Sequence, residues 1–307
     1  MENEMSRTNT NGFRNFASRS ERFFRYAGFP LLLGIIIVAL IPGLPAVGYL
    51  GLVMVVLIGS WLERKVPYES ERRAEPHAFR QNTIYNIITL LVGPSLGVMM
   101  SWIFSRIDLP GANLSFLDPE AQLAAALVAS GFLPYLLHRL SHEKDGFLWR
   151  AHSIHHAPRS VYWFNALRLH PLNTAWNTAA GLLPLLVLGF SPNIVFAAGL
   201  LNNFMSIVNH LNADLRLGPM NLIFNSGELH RWHHNRDLGI ANHNYSSGLL
   251  IFWDLLLDTY LLPERKQKNT EVGLSEESDY PMDSVAEQLM HPFRSWATCC
   301  RSPGLTA

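Results

Sequence analysis

The sequence predicts an all-α fold: a polytopic helical membrane protein of about four to six transmembrane or re-entrant helices, carrying a cytosolic histidine-rich cap. Three observations predict it. Hydrophobic residues make up 49% of the chain and charged residues only 16%, and the uncharged positions gather into long runs. Once those runs are drawn as crossings, 23 of the 24 Lys and Arg residues fall on one side. Nine of the thirteen histidines crowd into residues 138–156 and 230–243, one cluster before and one after the last pair of crossings.

Residues 1–26 read as an N-terminal tail; within it "FRNFASRSERFF" (13–24) mixes Phe with Arg at near-helical spacing, as suits a helix lying among lipid headgroups. Polar residues precede the first apolar run, so a cleaved signal peptide is not expected. Ala27 to Leu62 holds no charge, and as one helix would reach about 54 Å against a hydrocarbon core of about 30 Å. It must fold back, and Pro42-Gly43-Leu44-Pro45 supplies the break. Uncharged runs at 81–105 and 121–137 give one crossing each, and 171–209 gives two arms turning at "FSPN" (190–193). Arms this short are near the limit for spanning, so each hairpin can dip into the bilayer instead of crossing it.

Residues 27–262 thus form a membrane-embedded domain with its cap, and 263–307 a polar C-terminal tail without a periodic core. An even number of crossings returns both histidine clusters to one face, which the basic residues assign to the cytoplasm. A bacterial inner membrane is preferred to the endoplasmic reticulum as the setting. Zero net charge offers no pull toward nucleic acid. Cys299 and Cys300, the only cysteines, lie far from the histidines and exclude a disulfide scaffold or a cysteine-type zinc site.

In "HRLSH" (138–142), His138 and His142 are four residues apart, which on a helix puts both rings on one face about 6 Å apart. In "HSIHH" (152–156) and "HRWHH" (230–234) the first ring meets the others at separations of three and four, so two can converge while the third reaches a neighbouring ion. Eight imidazoles exceed what one tetrahedral ion needs and suffice for two. Imidazole selects Zn, Cu, Fe or Ni over Mg or Ca. No H-E-x-x-H stands here for a zinc hydrolase, and the crossings lack the acidic residues a metal transporter places within them. Two neighbouring irons can instead split dioxygen and attack an unactivated C–H bond. A non-redox metal-binding membrane protein, zinc hydrolase or transporter, is the competing expectation.

"HRLSH", "LWRAHSIHH", "LRLHPLN", "NHLN", "HRWHH" and "HNYSSGLLIFWDLLLDTY" resemble, in order and spacing, the signature of the sterol desaturase and fatty acid hydroxylase superfamily over roughly residues 60–262. The resemblance implies two Fe ions, with Zn as a substitute, and O2-dependent hydroxylation or desaturation of a membrane lipid, sterol-like, fatty acyl or related. Carried over by position, His138, His142, His152, His155, His156, His230, His233 and His234 match the motif histidines, and His210 matches a further ligand. Relatives with the full hydroxylase pattern have another histidine one turn before it, where Met205 and Ser206 stand. His170 and His243 are candidates for ligands or for supporting donors. Trp149, Trp163, Trp232 and Trp253 could floor a lipid channel or form an interfacial belt; Asp254 and Asp258 could hold imidazole N–H groups or cap helices; Arg139 and Arg168 could meet a headgroup phosphate. With no dinucleotide fingerprint, b-type haem motif or cysteine cluster in the chain, electrons are expected from an external donor: a ferredoxin, or a b-type cytochrome with its reductase.

Overall fold

Ser18 starts the first helix: its hydroxyl accepts the Glu21 N–H while the Glu21 carboxylate accepts the Ser18 N–H. The computed structural model describes residues 18–70, 75, 77–107, 114–144, 146–275 and 280–294. Helix α1 runs Arg19–Leu40, so residues 19–26, grouped with the tail by composition, are its first turns; 1–17, with the start of the Phe/Arg segment, lie outside the described residues, as do Cys299 and Cys300. Next come α2 (Pro45–Lys65), α3 (Ala78–Phe104) and α4 (Pro119–Glu143). These four, 21 to 27 residues each, are long and apolar enough to cross a membrane.

After α4 the chain forms α5 (Phe147–His156), then α6 (Pro171–Val187) and α7 (Pro192–Val208). The last two have 17 residues each, about 25 Å of helix, and so fall short of the hydrocarbon core. They turn where expected, at Gly189 (φ +71) and the α7 cap Ser191. Short helices α8 (Gly227–His233), α9 (Leu238–Ala241), α10 (Phe252–Leu256) and α11 (Val285–Met290) complete the described elements. The architecture is therefore helical, with four candidate spans, two shorter helices packed against them and a cap.

Packing follows from side-chain size. A Cβ on Gly51 would stand 2.5 Å from the Ala39 Cβ, so only glycine permits the close α1/α2 approach. Phe29, Leu32, Ile36, Val55, Leu62 and Phe204 join α1, α2 and α7 in the largest core. Helix α4 packs on α6 and α7, and α3 lies outermost, against α6. Leu91 and Val98 of α3 are 64% and 72% exposed, a cost in water that lipid removes. The inner face of α3 is polar: Asn82 donates to the Tyr162 hydroxyl (2.8 Å), Asn86 to the Phe164 carbonyl (3.1 Å) and Thr89 to the Leu167 carbonyl (3.0 Å). Three side chains of one helix thus hold the loop that carries the cap onto the bundle.

The described part of residues 263–307 is packed. Leu274 and Tyr280 share a core with Tyr85, Trp149, Ile154 and Ala157, and Gln288 accepts the Tyr85 hydroxyl at 2.9 Å. Its apolar residues are too few and too scattered in sequence to show a period, although they gather into one core with residues of α3 and α5.

Candidate metal centre

Helix geometry explains how the three histidine boxes divide. Nine imidazoles form two buried groups: His138, His142, His152, His156 and His233 in one, His155, His210, His230 and His234 in the other. Within each group the candidate ligand atoms all lie within 4.8 Å of one another. Residues four apart stay together, as 138/142, 152/156 and 230/234 do, while the residue at a spacing of three crosses to the other group. The second and third boxes therefore exchange partners: His155 joins the third box's pair and His233 joins the first two. Every histidine expected as a ligand is in one group or the other.

The outer ring nitrogens determine what the inner ones present. His138 Nδ1 meets the Tyr245 carbonyl at 2.6 Å and His233 Nδ1 the His243 carbonyl at 2.9 Å. A carbonyl only accepts, so both Nδ1 atoms carry the proton and both Nε2 atoms are bare lone pairs. Those two Nε2 atoms face each other at 2.9 Å. Two lone pairs at that distance repel unless a cation lies against them. In the second group His210 Nδ1 donates to the Ser206 carbonyl (2.9 Å), leaving its Nε2 bare 3.3 Å from that of His230. His142 has neither ring nitrogen partnered, and Nδ1 of His155 and of His230 is likewise buried without a hydrogen bond. The donor set thus fits metal ions: neutral, inward-facing imidazole nitrogens in two clusters. Burial, reinforced by neighbouring imidazoles, holds His152, His155, His156, His230, His233 and His234 well below the ordinary histidine range, and burial lowers His210 to about 3. All seven are neutral at pH 7, the form that binds metal.

The supporting shell differs from the expected one. Asp254 accepts no imidazole proton among the described residues; it accepts the N–H groups of Tyr245 (2.7 Å) and Ser246 (2.8 Å) and the Thr259 hydroxyl (2.7 Å), fixing the turn whose Tyr245 carbonyl orients His138. Asp258 sits in a left-handed turn (φ +56) and plays no such part. His170 caps α6, its Nδ1 accepting from Leu172 N–H (3.1 Å) while Nε2 donates to the Leu289 carbonyl (3.0 Å); it lies in neither group. His243 contributes its carbonyl to His233, and its ring stays outside.

Arg168 does not face a headgroup. It is 1% exposed and donates to the Ile154 carbonyl, Asn82 and Gln288. Arg139 pairs with Glu143 at 2.7 Å. Of the tryptophans, Trp149 packs on His142 and His156 (centroids 4.9 and 5.6 Å), Trp232 lies under the Arg265 guanidinium, Trp163 packs against the α1/α2/α7 core, and Trp253 donates to the Val128 carbonyl. None of these four lines the cavity of about 70 Å³ that opens onto both histidine groups; Trp176 does.

Sequence reasoning missed Asn173, whose Oδ1 meets His152 Nδ1 at 2.8 Å, and Asn209, which meets His210 Nδ1 at 2.8 Å. Both stand inside quoted motifs, "HPLN" and "NHLN", so their position beside a ligand was the available signal.

With this geometry in place, comparison with known proteins is informative. The fatty acid hydroxylase family model matches residues 123–259, which contain every histidine of both groups. An ornithine lipid hydroxylase of Rhizobium tropici is 31% identical over 229 residues, covering 72% of this chain and 68% of its own length. The human alkylglycerol monooxygenase is 30% identical over 183 residues, 59% of this chain and 39% of its own. A sphinganine C4-monooxygenase of Arabidopsis thaliana is 27% identical over 163 residues, 52% of this chain and 62% of its own. The chain spans less than two thirds of the last two. No solved structure matches it.

Proposed function

The chain belongs to the fatty acid hydroxylase family, and we propose that it uses O2 to hydroxylate a C–H bond of a membrane lipid at two iron ions held by its nine clustered histidines. It is a membrane-lipid hydroxylase, an oxidoreductase, and not the zinc hydrolase or transporter that composition left open. Of the two outcomes the boxes allow, hydroxylation is the one its relatives carry out, by their names.

The observation that carries the reading is the pair of bare Nε2 atoms of His138 and His233 facing each other at 2.9 Å inside a five-histidine group, next to a four-histidine group. When bound, the irons would supply the reduction of O2 and the removal of hydrogen from an unactivated carbon. The residues present do the rest. The carbonyls of Tyr245, His243 and Ser206 and the amides of Asn173 and Asn209 orient the rings and set their tautomers. Trp149 closes one side of the five-histidine group against water. An ion in the five-histidine group would have more rings to hold it, and one in the four-histidine group would have the freer position. An ornithine, glycerol-ether or sphingoid lipid is the substrate type suggested by the relatives' names. Electrons come from a separate carrier, a ferredoxin or a b-type cytochrome with its reductase.

Anaerobically purified protein should contain two metal ions per chain, with zinc an accepted substitute. Expression in a host of defined lipid composition should yield a lipid heavier by one oxygen. One ion or none, with all nine histidines intact, would remove the basis of this function.

For orientation, we place the cap in the cytoplasm of a bacterial inner membrane, because 23 of 24 basic residues then lie on that side. Reporters fused after Leu137 and after Asn209 should both read as cytoplasmic. Opposite answers would divide the histidines between two compartments and defeat the shared centre.

A further inference from the structure

Resting on the two-ion centre above, we propose that Arg231 is the positioning residue of the four-histidine group: it fixes His210 against His230 and His234 while belonging to neither ligand group itself. The need for such a tie follows from the chain. His230 lies in α8 and His234 caps it, so helical geometry sets the separation of those two rings. His210 comes from elsewhere. It stands two residues past the end of α7, in a segment that has left the helix. No local geometry relates it to the third box, yet its Nε2 lies 3.3 Å from that of His230.

Arg231 makes the connection. Its side chain leaves α8 about 100° around the axis from that of His230. It is buried, and its Nη2 donates to the carbonyl of Leu211, the residue after His210, at 2.8 Å. The guanidinium also lies over the Tyr68 ring, 4.1 Å from its centre. Tyr68 is bound in turn to the segment that carries His210. Its N–H donates to the Asn212 carbonyl (3.1 Å), the Glu69 N–H to Asn212 Oδ1 (3.0 Å) and the Asp214 N–H to the Val66 carbonyl (2.7 Å). Glu63, in the last turn of α2, accepts the Asn212 N–H at 2.8 Å. The contacts close a loop: His210 leads through Leu211 and Asn212 to Tyr68, Tyr68 to Arg231, and Arg231 back to His230.

Burying a cation costs more than filling the same space with an apolar side chain. What the guanidinium adds is geometry, a planar donor fork for the Leu211 carbonyl and a flat face for the Tyr68 ring. The far side of the loop, residues 63–69, lies outside residues 123–259, where every histidine of both groups stands. The end of the α1/α2 hairpin therefore helps to place a ligand that the hairpin does not contain.

The test is metal release, which needs no turnover. Full-length protein loaded with zinc in detergent is mixed with a chromophoric chelator, and the departure of each ion is timed. His155→Ala, expected to keep only the five-histidine ion, identifies the phase that belongs to that group. Arg231→Met should speed the other phase roughly tenfold to a hundredfold and leave the five-histidine phase as in the parent. Arg231→Lys, with charge and a donor but no flat fork, should fall between. Tyr68→Leu should speed the same phase, whereas Tyr68→Phe, which keeps the ring face, should release metal as the parent does. Added to His155→Ala, Arg231→Met should change nothing further. An arginine that merely supported the fold would speed both phases together. That result, or parental release in Arg231→Met, overturns the assignment. Should Arg231→Met fail to accumulate, the Tyr68 pair decides, and parental release in Tyr68→Leu overturns it. A parent chain that binds one zinc or none overturns the two-ion centre itself, which is a separate failure.

Discussion

Replacing His155 by alanine is expected to lower lipid hydroxylation at least a hundredfold, beyond the usual cost of losing a supporting partner, and to leave about one metal ion per chain. His155 is the member of the second box that crosses to the four-histidine group, and without it three rings remain there. His233→Ala should be as inactive but retain more metal, because its group starts with five rings and keeps four. It also leaves His138 Nε2 without the lone pair it faces. Both variants should insert normally. The contacts between α1, α2 and α7 are made by Phe29, Leu32, Val55 and Phe204, none of which touches the centre, and such packing does not need metal. Metal analysis and a turnover assay on the same preparations separate the two cases. Full activity with both ions in His155→Ala would mean that its box is structural.

The difference between those variants was only partly legible in the sequence. Spacings of three and four showed that one ring of each His-x-x-His-His box can part from its neighbours, since helical geometry is local. Which ring went to which group was not, because that depends on how α8 meets α5, a tertiary fact with no sequence period. Uncharged runs located α1 to α4, α6 and α7, and Pro42-Gly43 and the 190–193 segment located both turns, because a charge-free run is long enough to show a helix pair and its breaking residues. The orienting acceptors were hidden for a different reason. The carbonyls of Tyr245, His243 and Ser206 belong to the backbone, and no residue type announces them. Asp254 was noticed as a carboxylate near the boxes, yet it acts on the turn under His138 and not on a ring. The stretch after residue 262 looked like a tail because Leu274, Tyr280 and Gln288 are isolated in the sequence; they come together only in the fold, around Tyr85.

Gln288 leads to the second large effect, which concerns Arg168. Its guanidinium is buried and meets no carboxylate among the described residues; Nε donates to the Ile154 carbonyl (3.2 Å), Nη1 to Asn82 Oδ1 (3.1 Å) and Nη2 to Gln288 Oε1 (3.4 Å), with the Tyr85 ring 5.6 Å away. Three elements are joined at one planar group: α3 through Asn82, the second histidine box through Ile154, and the C-terminal segment through Gln288. Arg168→Met would strand the Ile154 carbonyl and the Asn82 oxygen, at about 1 to 3 kcal/mol for each buried acceptor left unmet. Arg168→Lys keeps the charge but gathers its donors on a single nitrogen, which cannot reach acceptors spread over three elements. Both variants should therefore unfold at clearly lower temperature than the parent in detergent, and both should lose metal, because Ile154 stands between His152 and His155 in the box it anchors. A headgroup-binding arginine would behave otherwise: Arg168→Lys would leave the unfolding temperature and metal content unchanged and raise KM for anionic lipids alone. That result would return Arg168 to the lipid surface and remove the brace on the second box.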